Sequence, residues 1–256
     1  MNGQTDRLSR EQEFHDARFA EGAPSRSADR FYAINQASDG FFREHLDALP
    51  SGTKVLDYGC GEGAYGALHA ATRDDLDITA IDLSPVAIEQ ARGKARDANV
   101  AGRIDFRVMN AEQLELPDDA FDFVVGLGVL HHLDLTASLR EIRRVLKPDG
   151  DAVFVEPLGH NPIINLYRQR TPDQRTSDEH PLLVSDIDLI GRSFRSCSAT
   201  YFHLFGLLAL PLAGTGHMTQ AVRKLDAFDQ VCFRQIPYLR RHAWMVGLRV
   251  SGPVAG

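Results

Sequence analysis

The stretch Val55-Leu56-Asp57-Tyr58-Gly59-Cys60-Gly61-Glu62-Gly63-Ala64-Tyr65-Gly66 constrains this chain more than any other. The apolar pair Val55 and Leu56 reads as a buried strand, and it runs straight into an acid. Gly59, Gly61 and Gly63 then fall at alternate positions, which marks a loop whose backbone must approach something closely. Small residues beyond it (Ala64, Gly66, Ala67) let a helix start hard against the sheet. A strand, a glycine loop and a helix N-terminus together make a polar cradle of backbone N–H groups.

The rest of the chain has to supply the sheet on which that loop sits. At 256 residues it is long enough for one large α/β domain with appendages. The formal net charge of −7 argues against a nucleic-acid surface, since covering phosphates requires excess Lys and Arg. Cys60, Cys197 and Cys232 stand at long, unrelated spacings, so neither a disulfide framework nor a zinc motif is expected. The N-terminus is charged and lacks an apolar segment, and the longest apolar run, 202–214, is too short to span a bilayer. These features predict a cytoplasmic protein without stable membrane insertion.

From Thr53 onward, strand and helix signals alternate. Strands are expected at Lys54–Asp57, Asp77–Leu83, Ile104–Met109, Phe121–Gly126 and Asp151–Glu156. Helices are expected at Gly63–Thr72, from Ser84-Pro85 to Asn99, and over Leu135–Lys147. Ser84 followed by Pro85 is an N-cap with proline at the first helical position. This alternation predicts a doubly wound, mostly parallel sheet that binds ligands at the carboxyl ends of its strands. Beyond Pro157 the pattern loosens into a helix at Ser185–Phe194, a strand at Ser198–Leu204, broken helix over Leu207–Leu239, and a last strand, antiparallel, at Ala243–Val250. The expected organisation is an N-terminal helical cap over 1–50 and a ligand-binding domain over 51–256. Insertions on the substrate side are expected at about 158–184 and 206–242.

Gly61-Glu62-Gly63-Ala64-Tyr65-Gly66 fits the dinucleotide pattern G-x-G-x-x-G, with Asp82 at the ribose distance, so an NAD(P)-dependent oxidoreductase is one reading. Asp57 opposes it: a carboxylate at the end of strand one would face the pyrophosphate in a partly dry cleft. A cationic ligand suits that position better. Asp57-Tyr58-Gly59-Cys60-Gly61-Glu62-Gly63 resembles motif I, D-x-G-C-G-x-G, of the class I S-adenosylmethionine-dependent methyltransferases. Further stretches resemble that family in order: Ala80–Pro85 with Asp82 and Leu83, Asn110-Ala111-Glu112, Phe121–Leu133 and Val145–Gly150. The resemblance covers about residues 53–157. It implies a Rossmann-like sheet of seven strands with S-adenosyl-L-methionine as cofactor. Asp57, Gly59, Cys60, Gly61, Asp82, Leu83, Asn110, Ala111, Glu112 and Leu127 would then line the cofactor site. The family often carries Asp where Asn110 stands, and the Asn110 amide still offers an acceptor to the adenine amino group.

Methyl transfer from a sulfonium needs alignment and dryness, and it needs a base only when the nucleophile carries a proton. His131 and His132 follow strand four, and His160 follows strand five, so these three are candidates for that base. Glu156 and Asn161 on the strand-five loop, Tyr32 beside the methionine end, and His15 in the N-terminal segment are candidates for touching the acceptor. No His, Asp and Glu set has metal-ligand spacing, so no metal is expected. The preferred reading is methylation of a small organic molecule, at oxygen, in secondary, lipid-like or quinone-like metabolism. The alternatives are the oxidoreductase above and a cofactor-binding protein that transfers no methyl group. Sequence leaves the oligomeric state open.

Overall fold

The computed structural model describes residues 2–20, 34–171 and 179–254. Seven strands form one sheet: β1 Lys54–Tyr58, β2 Asp77–Asp82, β3 Ile104–Val108, β4 Phe121–Leu127, β5 Leu146–Pro157, β6 Phe194–Phe202 and β7 Met245–Pro253. Their order is β3-β2-β1-β4-β5-β7-β6. The first five strands are parallel, and β7 runs antiparallel to both β5 and β6. This is the expected doubly wound sheet, with the reversal between β1 and β4 that opens a crevice at their carboxyl ends.

Helices cover both faces: α1 Asn2–Ala20, α2 Gln36–Asp47, α3 Tyr65–Ala70, α4 Pro85–Asp97, α5 Leu135–Val145, α6 Pro162–Arg170, α7 Val184–Arg192 and α8 Met218–Gln235. Alternation along the strands divides the core in two. Val55, Ile78, Ala80, Val125 and Val153 pack toward α2, α3 and α4. Leu56, Ile81, Val124 and Phe154 pack toward α5 and α7 on the other face. Leu56 and Phe154 are fully buried, and each such side chain contributes about 1.5–3 kcal/mol of hydrophobic stabilisation.

The helix starts follow local chemistry. Ser84 Oγ accepts from the Ala87 N–H at 3.0 Å ahead of Pro85, and Asp134 Oδ1 accepts from the Ala137 N–H at 2.9 Å ahead of α5. Several boundaries differ from expectation, among them three at element starts. Helix α3 starts at Tyr65 because Ala64 adopts a left-handed conformation at φ 41°. Strand β5 starts at Leu146, which pairs with Phe121, and the Pro148–Gly150 turn is absorbed as a register shift before Asp151 pairs with Phe123. Strand β6 starts at Phe194, whose buried ring is registered against Pro253. No described helix is long and apolar enough to cross a membrane.

Candidate functional site

Between β1 and α3 the chain makes three left-handed steps, at Gly59, Gly61 and Ala64, and the two glycines serve different ends. At Gly59 (φ 70°) a Cβ would lie 2.3 Å from Val129 Cγ2, so only glycine lets this loop seat against the turn after β4. At Gly61 (φ 59°) nothing lies within 4 Å of a Cβ position, and the backbone faces open space. Asp57 lies beneath this loop, 2% exposed, with Oδ2 accepting from the Ala67 N–H at 2.7 Å. Gly66 is needed there, since its Cβ would stand 2.9 Å from the same carboxylate. Burial pushes the Asp57 carboxyl up to about 7, and the negative charge of Asp82 adds to the rise. Such a site rejects an anion and is relieved by a cation.

Asp82, at the end of β2, ties two loops together. Its Oδ2 accepts from the Gly61 N–H at 2.8 Å and its Oδ1 from the Ser84 N–H at 2.9 Å. Leu83 follows it, half-buried, and the Cys60 thiol is buried and held well above its usual range by that burial. After β3, Asn110 Oδ1 accepts from the Glu112 N–H at 2.9 Å, and the Ala111 carbonyl accepts from the Tyr58 hydroxyl. Glu112 is buried, accepts from the Asp134 N–H at 2.8 Å, and pairs with Arg7 of α1. After β4, Leu127 leads into Gly128 (φ 65°), whose N–H donates to the Val155 carbonyl at 2.8 Å. The ten residues expected around the cofactor therefore gather at the carboxyl ends of β3, β2, β1 and β4.

Glu156 and Asn161, expected to reach an acceptor, have a different setting. Glu156 is fully buried; its Oε1 accepts from the Val129 and Leu130 N–H groups at 2.9 Å each, and its Oε2 meets His131 Nδ1 at 2.7 Å. It holds the turn after β4 from below, and burial pushes its carboxyl up to about 7. Asn161 caps α6, accepting from the Ile163 and Ile164 N–H groups and donating to the His242 carbonyl. A buried amide with both ends occupied is an anchor.

The histidines divide likewise. His131 and His132 lie with ring centres 4.1 Å apart and planes tilted by 40°, and the Cβ position of Gly128 is 3.7 Å from His131 Cε1, so the pair stands beside the end of β4. His160 lies on the loop to α6, where its Nε2 accepts from the Val184 N–H at 3.4 Å. Burial first, and then the charges of Arg241 and His242, lower its pKa. It borders a cleft of about 450 Å³ shared with Leu183, Tyr201, Tyr238, Arg240 and Arg241. Tyr32 lies outside the described residues, as does the side chain of His15.

Two contributors escaped the sequence reading. Arg7 of α1 donates to the His132 carbonyl at 3.1 Å and pairs with Glu112, while Asp16 of the same helix bonds Ser84 Oγ. Helix α1 thus runs across the ends of β2, β3 and β4. Glu179 is the second, its Oε1 3.9 Å from His131 Nε2. Neither has a local signal, because both meet the site through tertiary packing alone.

Residues 56–154 match the family model described as "Methyltransferase domain". The chain carries a class I S-adenosylmethionine-dependent methyltransferase domain. Over 103 residues it is 39% identical to 27-O-demethylrifamycin SV methyltransferase of Amycolatopsis mediterranei, covering 40% of this chain and 38% of that one. Over 127 residues it is 31% identical to the ubiquinone/menaquinone biosynthesis C-methyltransferase of Geotalea daltonii, covering 49% and 54%. The match thus spans about half or less of these two relatives' length. Among solved structures, a phosphoethanolamine N-methyltransferase of Haemonchus contortus superposes with a TM-score of 0.61 at 18% identity, covering 86% of this chain and 53% of that one. The fold of the methyltransferase domain is therefore shared by proteins named for O-, C- and N-methylation, and the domain alone does not select the acceptor atom.

Proposed function

We propose that this chain transfers the methyl group of S-adenosylmethionine to an oxygen of a small organic acceptor. The observation that carries the cofactor reading is Asp57, a buried carboxylate whose pKa is raised and which sits under a glycine loop at the end of β1. It favours the cofactor's cationic amino-acid end and disfavours a pyrophosphate. Asp82 would accept from the ribose hydroxyls, and Asn110, Ala111 and Glu112 would border the adenine. Leu127, Gly59, Cys60 and Gly61 would enclose the remainder. The cofactor supplies an electrophilic methyl group on a sulfonium.

The protein's own part is to place and deprotonate the acceptor. With Glu156 ionised and accepting from Nδ1–H, His131 presents Nε2 as its basic nitrogen at the end of β4. In the reaction the acceptor O–H gives its proton to that nitrogen, the O–CH3 bond forms, the S–CH3 bond breaks, and its electron pair stays on sulfur. His132 stands against His131, their ring centres 4.1 Å apart. Helix α1, within the proposed cap of residues 1–50, closes over the cofactor through Arg7 and Asp16 and excludes water. The cleft beside His160, with aromatic, apolar and cationic walls, suits an acceptor with an apolar body and an acidic edge. The rifamycin relative, named for an oxygen position, supports oxygen as the acceptor atom.

The test is a panel of hydroxylated, quinone-like and polyketide-like molecules incubated with the cofactor and followed by mass spectrometry. The expected result is a mass gain of one methyl in place of one hydrogen, together with S-adenosylhomocysteine. Tight cofactor binding with no conversion of any acceptor would leave the non-transferring reading standing, and binding of NADH instead would establish the oxidoreductase.

A further inference from the structure

His131, His132 and Glu179 each bring one ligating atom to within 4.8 Å of the others. They come from the turn after β4 and from a segment 47 residues further on, which a hydrogen bond holds beside it: the His180 N–H donates to the His131 carbonyl at 3.0 Å. Leu182 then pairs with Leu158, which fixes the same segment against the end of β5. The cluster is therefore built on backbone pairing, and its side chains are only 9%, 18% and 11% exposed.

A buried carboxylate already stands behind His131. Glu156 Oε2 engages His131 Nδ1 at 2.7 Å, and its Oε1 is occupied by two backbone N–H groups, so the carboxylate cannot swing away. With Glu156 ionised, that arrangement puts the proton on Nδ1 and turns the Nε2 lone pair toward Glu179, 3.9 Å away. A carboxylate behind a histidine is how metal-bound imidazoles are commonly oriented. Glu11 Oε2 lies 3.6 Å from His132 Nδ1, and with Glu156 and Glu179 it makes three carboxylates around two imidazoles. Arg7, which reaches the His132 carbonyl, pairs with Glu112.

We propose that His131, His132 and Glu179 form a binding site for a divalent cation of the zinc type. Two imidazole nitrogens and one carboxylate oxygen suit a borderline metal, and three protein ligands leave one position for an oxygen ligand. The site itself does not depend on the methyltransferase reading; its use does. A hydroxyl in the open position would lose its proton to solvent at lower pH than a free alcohol, and its oxygen would take the methyl group as the S–CH3 bond of the cofactor breaks, the electron pair leaving with S-adenosylhomocysteine. The cation would occupy the His131 nitrogen that otherwise receives the proton.

The test is titration calorimetry of ZnCl2 into the full chain after chelator treatment, with CoCl2 as a spectroscopic probe. One equivalent is expected to bind. Glu179→Gln and His132→Ala should each weaken it about tenfold or more, while His69→Ala, at a half-buried histidine paired with Asp47, should not. His131 is left intact because Glu156 depends on it. Absence of stoichiometric binding, or binding unchanged in both variants, overturns the proposal. S-adenosylmethionine binding is measured on the same samples: its loss with zinc binding intact sinks the functional reading alone, and the converse sinks this one alone.

Discussion

His131 Nδ1 meets Glu156 Oε2 at 2.7 Å, and the same carboxylate carries the backbone of Val129 and Leu130 on its other oxygen. One buried acid thus shapes the turn after β4 and orients the imidazole standing at its edge. Removing it affects both. Glu156→Ala leaves two backbone donors unsatisfied, so a loss of about 2–4 kcal/mol is expected in urea unfolding. Glu156→Gln keeps the volume while disturbing the imidazole. It should lower the methyl-transfer rate by at least about tenfold with a much smaller change in cofactor affinity, which calorimetry and single-turnover kinetics together resolve.

Asp57 should couple cofactor affinity to pH. Its carboxyl is pushed up to about 7, so below that pH it is mostly protonated and offers no charge to a cationic ligand. S-adenosylmethionine should therefore bind more tightly at pH 8 than at pH 6. Asp57→Ala should weaken binding by about tenfold or more at pH 8 and flatten the pH dependence. Equal affinities for both proteins across that range would refute the role.

The same two acids set a stability profile for the cofactor-free protein. Asp57 and Glu156 both have folded pKa values near 7, well above their ordinary values of 3.8 and 4.5. The folded state binds their protons more tightly than the unfolded state does. Their contribution is thus fully present below about pH 4, is lost as pH rises toward 7, and levels off above it. Asp57→Asn should raise the melting temperature at pH 8 relative to wild type and bring little gain at pH 5. Thermal melts across pH check the sign.

The two left-handed glycines should separate stability from binding. Gly59→Ala forces a Cβ against Val129 and should cost about 2–4 kcal/mol of stability. Gly61→Ala meets only the left-handed penalty of about 1–2 kcal/mol, yet it puts a methyl group on the open side of the loop and should weaken cofactor binding. Urea unfolding and calorimetry on both variants distinguish the effects.

Arg7 should anchor α1 to the site. Arg7→Ala removes its contacts to Glu112 and the His132 carbonyl and should destabilise the docked helix by about 2 kcal/mol. Limited proteolysis should then cut within residues 2–20 faster, and cofactor should slow that cleavage.

The doubly wound sheet was legible because periodicity and capping are local: Ser84-Pro85 starts α4, and Val55-Leu56-Asp57 followed by glycines announces β1 and its loop. Motif spacing carried the likeness to the methyltransferases, and the positions it named converge at the strand ends. Tertiary structure alone decided which polar groups serve the site and which hold it up. Glu156 and Asn161 look like cleft residues by position, but the turn after β4 and the start of α6 lack internal partners for their N–H groups, and these two side chains supply them. Arg7 and Glu179 reach His131 and His132 from distant segments that carry no pattern in common with them. The sequence by itself determined the sheet and the glycine loop, since each rests on residues adjacent in the chain. The setting of the histidine pair was decided by packing, because its charge and hydrogen bonds come from segments that meet only when the chain is folded.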